Sequence, residues 1–192
     1  MTKVLVVGDD KICRVYLRDN PPPSDVQILI DHSTGLKRVL RLVASGALSI
    51  GLILRMLLAD ISRSDGPPIQ GREVRSNADL LRIVNEIKPE KILLFRAGII
   101  IRKDLINTGY PIWNIHAAKI PEFGGLGSIW RALNAKAFAQ CATLHVVTET
   151  IDSGETLATE PYTLDPNKSY ADNENVAYAA GCRLLSRVIS AS

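Results

Sequence analysis

Lys3 to Val7, Val26 to Ile30, Lys91 to Phe95 and Ile112 to Ile115 are short, almost unbroken apolar runs. A strand with one wet face alternates apolar and polar residues. A run that is apolar at nearly every position is buried on both faces, as in parallel strands covered by helices. The intervening sequence supplies those helices. Ser76 stands three residues before Asp79 as a helix cap, Leu80, Ile83, Val84 and Ile87 form one apolar face, and Pro89 lies just beyond. Ser33 is positioned to cap a helix from Gly35 with Leu36, Val39, Leu40 and Val43 on one side. Gly46 interrupts that pattern and a second apolar stretch runs from Leu48 to Ile61, so a helical hairpin packed on the sheet is expected. Ser64 to Arg75 reads as a polar surface loop, and Arg102 to Asn107 as a short helix closed by Gly109. Cys141 to Thr148 continues the sheet, Asp152-Ser153-Gly154 turns the chain into Glu155 to Thr159, and a final helix runs from about Asp172 to Ile189. Strands alternating with helices predict an α/β fold with an open, mostly parallel twisted sheet and flanking helices, as one domain over residues 1–192.

Composition narrows the function. With 192 residues, 46% hydrophobic and 22% charged, the chain is neither disordered nor a disulfide scaffold. Its 23 basic and 20 acidic residues give a net charge of +3 without a dense basic stretch, which suits a small anionic molecule better than tRNA. Cys13, Cys141 and Cys182 are odd in number, widely spaced and without a CxxC pair, so no metal site is expected and the thiols read as buried and reduced. The apolar stretch Leu42 to Leu54 is shorter than the roughly 20 residues that span a bilayer, and Val4 to Val7 is too short for a signal-peptide core, so a cytoplasmic protein is expected.

Gly8 closes the first strand, yet Gly8-Asp9-Asp10-Lys11-Ile12-Cys13 lacks the later glycines of a dinucleotide fingerprint, and its two aspartates repel a pyrophosphate. The segment Ile112-Trp-Asn-Ile-His-Ala-Ala-Lys-Ile-Pro-Glu-Phe-Gly-Gly-Leu-Gly127 is more informative. Asn114 and His116 are two apart on a strand, so both leave the same face, followed by a loop of small residues. At the end of a central strand they are either a ligand-facing pair or polar groups satisfied by nearby backbone. Asp152, taken alone, is a turn former.

Taken together, Asn114-x-His116, Pro121, Gly124, Gly125, Gly127 and Ile151-Asp152-x-Gly154 resemble the formyltransferases that use 10-formyltetrahydrofolate, with His116 and Asp152 separated by 36 residues. The resemblance covers Asn77 to the C-terminus well and the first two strands in outline. It implies a Rossmann-like sheet and formyl transfer from 10-formyltetrahydrofolate to a primary amine, with Asn114, His116 and Asp152 as the catalytic residues. In that scheme the Asn114 amide and a protonated His116 donate to the oxyanion, and Asp152 favours the imidazolium and moves a proton. Arg96, Ala97, Gly98, Ile99 and Ile100 are implied on one side of the folate and Glu149, Thr150 and Ile151 on the other. Read without the resemblance, Ile99-Ile100-Ile101 is core, and His145 is a partly buried strand residue outside the site.

The sequence departs from the family pattern at Ala117-Ala118, where Pro-Ser is usual, and at Phe123-Gly124-Gly125, which lacks a preceding basic residue. The absence of a glycine-rich phosphate loop speaks against glycinamide ribonucleotide as acceptor. The length leaves little room for the C-terminal domain of the methionyl-tRNA enzymes, so a small amine, such as an amino-sugar nucleotide, is the expected acceptor. A 10-formyltetrahydrofolate hydrolase and a non-catalytic folate binder are the alternatives, and the oligomeric state is left open.

Overall fold

In the computed structural model, which describes residues 2–33, 43–46 and 49–190, seven strands form one sheet. In chain order the elements are β1 (Lys3–Gly8), α1 (Lys11–Asp19), β2 (Val26–Asp31), α2 (Ile50–Ser62), β3 (Arg72–Val74), α3 (Asn77–Ile87), β4 (Lys91–Phe95), α4 (Lys103–Ile106), β5 (Ile112–His116), α5 (Ser128–Asn134), β6 (Ala139–Val146), β7 (Thr156–Thr163) and α6 (Tyr170–Ser190). The strand order is β3-β2-β1-β4-β5-β6-β7. The first five in that order pair in parallel, and β6 and β7 join antiparallel. The open, mostly parallel sheet expected from the apolar runs is therefore the observed fold.

Alternate residues of β1 feed opposite cores. Leu5 and Val7 pack with Phe95, Leu184 and Leu185, whereas Val4 and Val6 pack with Leu80, Ile83 and Val84. This two-sided burial is what the continuous apolar runs require. Ser76 accepts from the Asp79 amide, 3.1 Å away, to cap α3, and Lys88 ends that helix in the left-handed region just before Pro89.

Several boundaries differ from expectation. Part of the polar 64–75 stretch is strand, because Arg72–Val74 pairs with the end of β2. The last helix begins at Tyr170, because Ser169 rather than a later residue caps it, its hydroxyl accepting from the Asp172 amide. Helix α5 went unread among the small residues of its loop, since seven residues show too little periodicity. Of the three thiols only Cys13 is fully buried, Cys141 and Cys182 being half-buried. Ser33 and the second half of the expected helical hairpin are described, the latter as α2, whereas the helix from Gly35 carrying Leu36, Val39 and Leu40 lies outside the described residues.

Helix α2 is fixed firmly to the rest of the molecule. Ser49 caps its start, Lys11 donates to the Asp60 carbonyl at 2.8 Å near its end, and Arg55 stacks over Trp130 at 4.6 Å. Just beyond it, Arg63 forms a buried ion pair with Glu174 on α6 at 2.6 Å. Removing one partner of such a pair strands a buried charge, a loss of about 3–5 kcal/mol.

Candidate active site

Sheet geometry explains why Asn114 and His116 act together. They leave the same face of β5, and the antiparallel register sets His145 of β6 opposite Asn114 and Thr143 opposite His116. The β6–β7 connection then folds back over this face and delivers Asp152. Asp152 has φ +48°, a left-handed conformation that Asp tolerates better than most residues. Its Oδ2 accepts from the Gly125 amide at 2.7 Å and lies 3.3 Å from His116 Nδ1. Its Oδ1 accepts from Asn114 Nδ2 at 3.4 Å and lies 3.3 Å from His145 Nε2. The three candidates Asn114, His116 and Asp152, 38 residues apart at the extremes of Asn114 and Asp152, thus meet at one carboxylate.

His145, set aside on sequence grounds, belongs to the same cluster. Its ring is 2% exposed, with Nδ1 at 2.9 Å from the Val146 carbonyl and Nε2 at 3.1 Å from Asn114 Nδ2. Nε2 accepts from the amide when unprotonated and donates to Asp152 when protonated. Strand parity was one sequence signal, since Thr143 and His145 are two apart on a strand, as are Asn114 and His116; the resemblance, which extends to Thr143 and His145, was another.

Burial pushes the Asp152 carboxyl up, but the His145 hydrogen bond, the His116 charge and the Gly125 N–H together bring it down to about 2. His116 behaves differently. Burial lowers its pKa below the ordinary histidine value, and the neighbouring Asp152 carboxylate and the Phe123 carbonyl, 3.0 Å from Nε2, only partly oppose this. Desolvation thus outweighs the carboxylate, and His116 at rest holds its proton less readily than an ordinary histidine. Followed by NMR, His116 titrates below its usual 6.5, and lower still in Asp152→Asn, which removes the anion that favours the charged ring. A His116 titration above the usual value in the wild-type protein contradicts this balance.

The altered loop after His116 is well held. Tyr162 donates its hydroxyl to the Ala117 carbonyl, Thr143 donates to the Ala118 carbonyl at 3.0 Å, and the Lys119 amide donates to Gln140 at 3.1 Å. Arg131 donates to the Gly124 carbonyl and to the Leu126 carbonyl, steadying the stretch whose Gly125 amide binds Asp152.

The residues implied for folate are less uniform. Arg96 is committed elsewhere: its guanidinium pairs with Asp10 at 2.7 Å and stacks over Tyr178 at 3.8 Å. The Gly98 and Ile99 amides donate to Asp31, and Ile99 packs in the core with Ala97 against it. Ile100, by contrast, is 49% exposed, and across from it Ile151 is 64% exposed in the segment with Glu149 and Thr150. Lys103 and Glu149, 3.6 Å apart, bring these two segments together. Beside them, a cavity of about 320 Å³ opens at the C-terminal ends of β1, β2 and β4, lined by Asp9, Asp10, Asp31, His32 and Arg96. Open α/β sheets bind ligands at this edge, where the strand order reverses between β1 and β4.

The chain is an α/β protein whose open, mostly parallel sheet presents an amide, two imidazoles and a carboxylate at its carboxyl edge. The sequence pattern of the formyl transferase family matches residues 6–189, and the chain belongs to that family. It is 22% identical over 124 residues to the methionyl-tRNA formyltransferase of Clostridium tetani, a match covering 64% of this chain and 40% of that protein. The chain thus spans less than half the length of such curated relatives. Its fold resembles phosphoribosylglycinamide formyltransferase from Streptococcus pneumoniae, with TM-score 0.66 and 21% identity over 100% of this chain and 98% of the other. It also resembles a formyltetrahydrofolate deformylase from Pseudomonas syringae, with TM-score 0.65 and 17% identity over 98% of this chain and 61% of the other. Among the described residues no helix is long and apolar enough to cross a membrane, and no cluster of His, Cys, Asp and Glu has the arrangement of a metal site.

Proposed function

We propose that residues 1–192 act as a single catalytic domain that transfers the formyl group of 10-formyltetrahydrofolate to a small primary amine. The observation that carries this reading is the Asp152 carboxylate, held ionised while facing Asn114, His116 and His145. The amine nitrogen attacks the formyl carbon, and the carbonyl electron pair moves onto oxygen. Asn114 and the His116 Nε2–H, once it turns from the Phe123 carbonyl to the substrate, stabilise that oxyanion. When His145 carries a proton for Asp152, one Asn114 N–H is released for the substrate. The tetrahedral intermediate collapses by breaking the bond to N10, which takes up a proton, while the amine loses one. Asp152, directly or through water, carries that proton between the two nitrogens. Ile100 and Ile151 flank the folate, and Arg96, paired with Asp10, supports the segment that carries Ile100.

The cavity favours an amine without phosphate. Its three carboxylates outnumber the lining cation, since Asp10 pairs with Arg96, Asp9 with Arg14, and Asp31 accepts from the Gly98 and Ile99 amides, so the rim disfavours a phosphate. The test mixes the protein with 10-formyltetrahydrofolate and a panel of amines, including an amino-sugar nucleotide, and follows tetrahydrofolate release. Release that depends on an unphosphorylated amine is the expected result. Release without amine identifies a hydrolase, and no release with thermal stabilisation by folate identifies a binder.

A further inference from the structure

Among the described residues, helix α2 buries one narrow face and leaves a broad apolar one uncovered. Leu52 and Ala59 face inward, whereas Ile50, Leu54, Leu57, Leu58 and Ile61 are 66%, 55%, 54%, 65% and 73% exposed. At 100° per residue those five fall within a continuous stripe opposite Leu52 and Ala59, and no charged side chain lies within it. Their exposed area is on the order of 600 Å², the upper end of the largest patch a monomer carries and close to the roughly 800 Å² that each partner contributes to a standard interface. The helix does not owe this exposure to loose attachment, since Lys11, Arg63 and Arg55 anchor it on its other sides.

We infer that this stripe is the contact by which two copies of the chain form a two-fold dimer, the α2 helices packing against one another. A two-fold interface requires a surface that complements itself, and an uncharged apolar stripe does so without burying an unpaired charge. A membrane surface fits less well: helices that lie on membranes carry a polar face rich in Lys and Arg, whereas α2 has Arg55, already stacked on Trp130, and Asp60. The inward face gives the contact a consequence. Leu52 presses on Gly127, where a Cβ would come within 2.7 Å of its Cδ2, so the dimer-forming helix also seats the loop whose Gly125 amide holds Asp152.

Sedimentation equilibrium on the wild-type chain and on Leu54→Glu/Leu58→Glu tests this, with circular dichroism to verify that the exposed substitutions leave the fold intact. A second variant, Ile61→Arg, covers the case in which the double variant fails to fold. The expected result is a wild-type dimer and variants whose dimer dissociation constant rises by more than about 100-fold, because carboxylates or guanidinium groups are desolvated in both copies. A monomeric wild-type chain overturns the inference, as does a dimer that survives the substitutions. A monomer that co-sediments with phosphatidylcholine–phosphatidylglycerol vesicles also overturns it and assigns the stripe to a lipid surface.

Discussion

Asp152→Asn lowers the rate of formyl transfer by about 100-fold or more, a loss typical of removing an acid–base or oxyanion group. Asparagine is the informative replacement. It keeps the size of the side chain and tolerates the left-handed backbone at φ +48°, so the effect reports charge and not a distorted turn. The Asn variant can still accept from the Gly125 amide, 2.7 Å from Oδ2 in the wild-type protein, but it cannot take a proton from the attacking amine. Asn114→Ala and His116→Ala are expected to lose comparable amounts. The losses do not add, because the three side chains share one carboxylate and act as a unit. Single-turnover release of tetrahydrofolate measures the effect, and near-wild-type turnover in Asp152→Asn removes Asp152 from the mechanism. The carboxylate titrates near 2, so an acid limb of activity above about pH 4 belongs to another group, His116 among the candidates.

Gly154→Ala has the second large effect, by a different route. A Cβ at this position would collide with the Val146 carbonyl oxygen and sit 2.8 Å from its carbon, both backbone atoms of β6. Neither can move without disturbing the sheet, so the turn must shift instead and carry Asp152 with it. Overpacking of this kind costs about 1–3 kcal/mol or more, and a displacement of about 1 Å at the catalytic carboxylate costs on the order of 100-fold in rate. The variant is therefore expected to melt earlier and to lose activity together, with Asp152 still present. A Gly154→Ala protein with wild-type melting and turnover contradicts the close approach of the turn to β6.

The two variants separate chemistry from placement. One removes a charge and leaves the turn in position; the other keeps the charge and moves it. His145→Asn adds a third view, since it removes the ring that holds both Asn114 and Asp152 from the buried side.

Much of the fold was legible because its strands are buried on both faces. Continuous apolar runs located β1, β2, β4 and β5, and the Ser76 cap with Pro89 bounded α3. What escaped was short or set by neighbours. Helix α5 has too few turns for periodicity to show, and β3 is three residues that become strand only by pairing with β2. The same division runs through the site. Strand parity paired Asn114 with His116, and the resemblance to the formyltransferase motif singled out Asn114, His116 and Asp152. Only the antiparallel pairing of β6 with β5 brought His145 against Asn114, because cross-strand neighbours 31 residues apart in sequence leave no local trace. In the segment implied for folate, only packing set where the side chains go, Arg96 against the Asp10 carboxylate and Ile99 into the core. The charge of His116 likewise depended on burial, which no sequence pattern states. The sequence by itself determined the family pattern and the strands that bear its residues. The tertiary structure decided which of those groups face one another and in which protonation state, because proximity and desolvation arise only when distant segments pack.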